Sequence, residues 1–203
     1  MENLAVRQTM LDMMAYSEGS YRQQLHGALK QSLRTLARNG GGDLPLCVIA
    51  HGFGSVLAVD FFAELQAGLG HDDGRGDDDS DGPTALERGQ TLAFLCTLGS
   101  PLPLTVGGRA STPLQVPASP VLVKWPHLRG GWTNFYHRGD CLGCPLVTVQ
   151  PAVSHEFECR RRHKGDLPIQ STYFVDLVDC VGPIAQSMSH IWQDTNRKAG
   201  SGY

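Results

Sequence analysis

No run of 18 consecutive apolar residues occurs in the 203-residue sequence, so hydropathy indicates no membrane-spanning helix. An excess of either charge is lacking too. Seventeen Lys and Arg stand against 20 Asp and Glu, a net charge of −3, which leaves no basic footprint for a nucleic-acid backbone. The opening residues, MENLAVRQTMLDMM, contain no basic segment followed by an apolar core. No secretion signal is therefore read, and a reducing, cytoplasmic setting is expected. In that setting the six cysteines read as free thiols rather than as a disulfide framework. Internal repeats are absent as well.

What is present suits one globular unit. Apolar residues make up 41% of the sequence and charged residues 18%, and the length is sufficient to bury a core. We read residues 1–203 as a single domain with an acidic surface loop at 71–90. Within that loop residues 72–81 hold six Asp and one Arg, a composition that favours solvation over packing. Asp77, Asp79, Asp81 and Gly82 resemble the start of a calcium loop. The twelfth position is Arg88 rather than a bidentate Glu, and Pro83 interrupts the backbone path, so no calcium site is assigned.

Periodicity gives an outline of the fold. Residues 3–16 and 21–38 read as helices, the second from Tyr21, Leu25, Leu29, Leu33 and Leu36 spaced three or four apart, and Asn39-Gly40-Gly41-Gly42 stops it. Leu46–Ala50 reads as a strand buried on both faces. A glycine turn and a helix from Ser55 to Leu65 follow it, ending near Gly68. Thr91–Thr97 is a second buried strand, Trp132–Tyr136 a third, and Tyr173–Val181 a fourth. Residues 101–131 read as irregular and Pro183–Thr195 as a last helix. Strands alternating with helices indicate an α/β fold with a mostly parallel sheet.

The strand–turn–helix centred on Ala50-His51-Gly52-Phe53-Gly54 has the context of a nucleophile elbow, G-x-S-x-G. The wider stretch AHGFGSVLAVDF resembles the A-H-S-L-G-S turn of α/β-hydrolase proteins. Thr97-Leu98-Gly99-Ser100-Pro101-Leu102 is similar to the T-L-G-S-P-L that ends the next strand in lipase-like and esterase-like members. Trp132-Thr133-Asn134-Phe135-Tyr136, then Asp140 and Pro145-Leu146, resembles the W-x-N-x-Y…D…P-L stretch carrying the triad acid. Ser189-His190-Ile191-Trp192 is similar to the late H-x-x-Y-W region carrying the histidine, contracted by one residue. The resemblance implies a three-layer α/β-hydrolase-like sandwich lacking its N-terminal strands. It also implies catalytic positions at Gly52, Asp140 and His190, in the chain order of that fold, with His51 and Phe53 beside the ligand.

Gly52 stands where the serine belongs, and glycine has no side-chain atom with which to attack a carbonyl. No H-G-x-G loop precedes the elbow, so one oxyanion donor is missing too. Ser55 reads as structural, Cys47 as an inert strand thiol, and Ser100 as a motif position other than the nucleophile. The expectation is a pseudoenzyme of esterase or lipase type, inactive or weakly active as hydrolase. The alternative is a non-catalytic binding or scaffold protein retaining the same fold. A small ester or lipid-like ligand, a protein partner or a second copy of the chain are the partners considered, with no cofactor. Cys141, Cys144, Cys159 and His163 have a spacing close to that of a structural zinc site, but Arg160, Arg161, Arg162 and Lys164 surround the later pair. No metal site is assigned.

Overall fold

Two helices, α1 (Glu2–Ser17) and α2 (Ser20–Gly40), precede the first strand, β1 (Leu46–His51), in a computed structural model that describes residues 2–68, 82–105, 113–160 and 168–197. The strand β1 leads through Gly52 into α3 (Phe53–Gln66), followed by β2 (Leu92–Leu98) and the short α4 (Leu102–Thr105). Next come α5 (Ser119–Lys124), β3 (Gly131–Tyr136), β4 (Val153–Glu158), α6 (Ile169–Thr172), a π-helical turn at Leu177–Val181, and α7 (Gly182–Asn196). The four strands form one sheet in the order β1-β2-β3-β4, and all three pairings are parallel.

The sheet has helices on both faces. Leu95 and Trp132 face the side where Leu33 of α2 and Val56, Val59 and Phe62 of α3 pack. Phe94, Cys96, Leu98 and Phe135 face the other side, against Tyr173, Cys180, Ile184 and Ile191. Every residue of β2 is buried, which explains its unbroken apolar run: it has a strand on each edge and a helical layer over each face. Its one polar residue, Thr97, is satisfied laterally. Trp132 Nε1 donates to its hydroxyl at 3.0 Å, and the hydroxyl donates to Asn134 Oδ1 at 2.8 Å. The helical layer of α1–α3 is tied together by Asp60. It accepts from the Tyr16 hydroxyl at 2.6 Å and from Arg22 Nε at 2.8 Å, and Arg22 also pairs with Glu64.

Four expectations need correction. The first strand is not buried on both faces: β1 is the sheet edge, and Ile49 is 47% exposed. Leu46 and Gly52 donate backbone N–H groups to Thr91 and Leu98, so the even-numbered residues pair with β2. The backbone groups of Cys47, Ile49 and His51 therefore point to the open side. The stretch Tyr173–Val181 forms no strand. Asp176 accepts from the N–H groups of Val178 and Asp179, and this cap turns the apolar pattern into the π-helical turn. The fourth strand is instead Val153–Glu158. Its sequence VSHEFE carries charge because it is the other edge, where charged side chains block further pairing. Finally, α5 lies within a stretch read as irregular.

The apolar face of α2 is also rotated from the one the leucine spacing suggests. His26 and Leu33 are buried, whereas Leu36 is 49% exposed. Among the described residues no helix is long and apolar enough to cross a membrane. Most of the acidic loop, including Asp77, Asp79 and Asp81, lies outside the described residues.

The centre of gravity of the sheet is therefore β2. Leu95→Ala removes a side chain with no exposure and is expected to cost about 2–5 kcal/mol in urea denaturation. Ile49→Ala at the edge should cost less than about 1 kcal/mol on the same measurement. Equal losses would show that β1 is as central as β2.

Candidate active site

Three strand ends meet at one level of the sheet. Gly52 follows β1, Gly99 follows β2, and Asp140 lies four residues beyond β3. Gly52 has φ +54° and ψ −129°, a conformation that strains any residue with a Cβ and one that lets β1 turn sharply into α3. The turn is locked from inside. The Gly52 N–H donates to the Leu98 carbonyl at 2.9 Å, and the Ser55 hydroxyl donates to the Gly52 carbonyl at 2.6 Å. The Ser100 hydroxyl lies 2.6 Å from that of Ser55. Both serines are fully buried, so each is occupied in holding the turn.

Asp140 is the chemical centre of this level. It is 5% exposed, and both carboxylate oxygens are engaged. Gln170 Nε2 donates to Oδ1 at 2.6 Å and to Oδ2 at 2.7 Å, the Tyr173 hydroxyl donates to Oδ2 at 2.9 Å, and the Leu142 N–H donates to Oδ1 at 3.0 Å. Gly99 makes this close packing possible. It has φ +55°, and a Cβ there would come within 2.8 Å of the Tyr173 ring and 2.9 Å of Asp140 Oδ2. Burial and the neighbouring Asp140 charge push the Tyr173 phenol far above its ordinary range, so the tyrosine remains a donor. Its oxygen in turn accepts from the His137 N–H at 3.0 Å. The His137 ring donates from Nδ1 to the Cys159 carbonyl at 2.8 Å, and its Nε2 lies 3.0 Å from the Thr172 hydroxyl.

The loop after Asp140 is anchored from β4. Glu156 Oε1 accepts from Asn134 Nδ2 at 3.1 Å and from the N–H groups of Leu146 and Val147. This carries the hydrogen-bond chain that starts at Thr97 across β3 to the loop that positions the carboxylate.

The residues expected at the site separate. Gly52 and Asp140 come together, bridged by Gln170: a Cβ on Gly52 would have the Gln170 Oε1 at 3.9 Å as its nearest neighbour. His190 is placed elsewhere. The helix α7 starts near Cys180, which faces Cys159 at the end of β4. It finishes near Asp194, whose carboxylate binds the Arg129 guanidinium and N–H just before β3 begins. The helix thus runs from the Asp140 end of the sheet to the opposite end. His190 lies eight residues along it, about 12 Å down the axis at 1.5 Å per residue.

His51 and Phe53 flank the turn on opposite faces. The His51 ring packs against Phe174 at 5.0 Å and Tyr173 at 5.9 Å between centroids. Its Nε2 is buried with no well-formed hydrogen bond, although Gln170 is close enough to favour the charged ring. Phe53 lines an apolar cavity of about 420 Å³ bounded by Met10, Met13, Met14, Leu102 and Leu104, a volume suited to a small ligand. Among the described residues no three His, Cys, Asp or Glu side chains gather as metal ligands. Cys159 faces Cys180 rather than the Cys141–Cys144 pair, and His163 lies outside the described residues.

Sequence reasoning missed Gln170 and Tyr173 as site residues. Their signal is modest: two polar side chains three apart, hence on one side of a helical turn, after a proline that starts α6. The chain matches no family model, no curated protein and no solved structure.

Burial lowers the basicity of His51, with Gln170 and the Asp140 charge opposing it in part. Burial and Arg22 likewise lower that of His26. Both rings are held neutral in the folded chain below the ordinary value of 6.5, whereas the unfolded chain takes up protons there. Stability should therefore be complete above pH 6.5 and fall as the pH drops below it. A melting temperature measured from pH 7.5 to 5.0 should decline through this window, and His51→Asn should flatten the decline. A profile flat to pH 5.0 would contradict this.

Proposed function

We propose that this chain is an esterase- or lipase-like α/β-hydrolase relative whose centre binds an ester or lipid-like ligand without cleaving it. The observation that carries the reading is the Gln170 amide between Asp140 and the space above Gly52. A serine hydrolase needs a nucleophile, a base beside it, and an acid orienting that base. Here the strained turn and the acid are built, the nucleophile position holds glycine, and an amide occupies the place of the base. Gln170 Nε2 donates to the carboxylate as an imidazole N–H would. Its Oε1, directed toward position 52, is an amide oxygen and takes up no proton at neutral pH.

Binding remains possible where chemistry does not. The apolar cavity reached by Phe53 adjoins the turn and accommodates an alkyl or acyl group. Ser17, Asp60, Thr105 and Gln150 add polar groups to its lining.

The reading is tested by rebuilding the centre. A fluorophosphonate probe should not label the parent chain, and it should label Gly52→Ser only slowly, because nothing withdraws the hydroxyl proton. Gly52→Ser with Gln170→His should label about 10²–10⁴ times faster, the usual contribution of a general base. Adding Asp140→Asn should abolish that gain, and adding His190→Ala should leave it unchanged. Labelling of the parent, or a folded but unreactive double variant, would overturn the scheme.

A further inference from the structure

We propose that Cys159 and Cys180 form a reversible disulfide that pins the segment over the Gly52–Asp140 centre. The two Sγ atoms are 2.9 Å apart, closer than unbonded sulfurs pack, and no other side chain lies between them. Cys159 is 4% exposed and Cys180 fully buried. Their backbones are already registered. The Cys159 N–H donates to the Tyr136 carbonyl at 2.8 Å, the Cys180 N–H to the Asp176 carbonyl at 3.2 Å, and the neighbouring Arg160 N–H to Asp179 Oδ2 at 3.1 Å. Bond formation therefore asks only a small approach of the two sulfurs, with both attachment points held.

The position gives the bond a consequence. Cys159 ends β4, and its carbonyl accepts from His137. Cys180 closes the π-helical turn that follows α6. Between Pro168 and Cys180 lie Gln170 and Tyr173, which hold the Asp140 carboxylate, and Phe174, which packs on His51. A covalent link from Cys180 to the end of β4 holds this cover down. Reduction leaves it held by hydrogen bonds and packing alone.

The oxidant is a small disulfide such as oxidised glutathione. One cysteine thiolate attacks a glutathione sulfur and expels the first glutathione thiolate. The second cysteine thiolate then attacks the protein-bound sulfur of the mixed disulfide and expels the other. The two cysteine protons end on the two glutathiones released, so two thiols and one disulfide become one protein disulfide and two thiols. Both sulfurs are shielded from solvent, so glutathione reaches them and exchange proceeds only when the cover opens. The rate of oxidation thus reports that opening.

The disulfide stands independently of the hydrolase reading, whereas its effect on access rests on it. The full chain is incubated with oxidised glutathione, alkylated, and analysed by intact mass and a non-reducing peptide map. The expected product carries two fewer alkyl groups than the reduced chain, is two hydrogens lighter before alkylation, contains a 159–180 cross-link, and melts roughly 5–10 °C higher. Cys159→Ser and Cys180→Ala should each lose the cross-link, and Cys141→Ser should keep it. Full alkylation at both positions, or a cross-link confined to other cysteines, overturns the proposal. Fluorophosphonate labelling of Gly52→Ser/Gln170→His should slow severalfold on oxidation and recover with dithiothreitol. Unchanged labelling of a cross-linked, reactive variant removes the role in access. If that variant does not react at all, the hydrolase reading fails while the mass result still decides the disulfide.

Discussion

The rest of the structure depends on keeping water away from β2. Seven consecutive residues with almost no exposure require a strand on either edge and a helical layer on either face, because each buried backbone polar group must find a partner. The pairing on both edges fixes where three strands end, and it is those ends that place Gly52, Gly99 and Asp140 together. The polar chain from Trp132 and Thr97 through Asn134 to Glu156 extends the same constraint to the loop carrying the carboxylate. Site geometry here is a by-product of sheet desolvation.

Within that frame the difference between a glutamine and a histidine is small in shape and large in chemistry. Both can donate one N–H to a buried carboxylate and present a second polar atom on the far side. In imidazole that atom is a nitrogen lone pair that titrates near neutrality. In the amide it is an oxygen whose basicity lies far outside the range of water. The Tyr173 hydroxyl adds a third donor, and the carboxylate is left with its lone pairs shared among neighbours that stay put. Such a fully satisfied network is rigid. It suits a site that holds a shape better than one that must move protons.

Several features were legible in the sequence because they follow from patterning close in the chain. The run TLAFLCT reads as a buried strand, and the glycine turn before VLAVDFF marks the β1–α3 corner directly. What escaped depended on distant partners. Ile49 looks as apolar as Leu95, and nothing in five residues of sequence says which strand has a neighbour on both sides. VSHEFE looks like a loop until it is paired with Trp132–Tyr136. YFVDLVDCV has the hydrophobicity of a strand, but Asp176 captures two backbone N–H groups and coils it. Around Gly52, Asp140 was singled out by a motif, while Gln170 was invisible because an amide carries no motif of its own. The histidine suggested by the stretch around Trp192 sits on a helix whose direction is set by the Arg129–Asp194 pair, a contact across 65 residues.

A sheet with only parallel pairs contains no hairpin, and this has a cost in time. Val48 pairs with Leu95, Leu95 with Trp132, and Trp132 with Val153. Every ladder must close a long excursion of chain before its first hydrogen bond forms, and such non-local closure slows folding. During synthesis β1 is complete long before its partner strand β2 exists. For that interval the run LCVIAH stands with both backbone edges unpaired and both faces bare. Its nearest relief comes from the helices on either side of it in sequence, α2 and α3, which can close over one face while β2 is still being made.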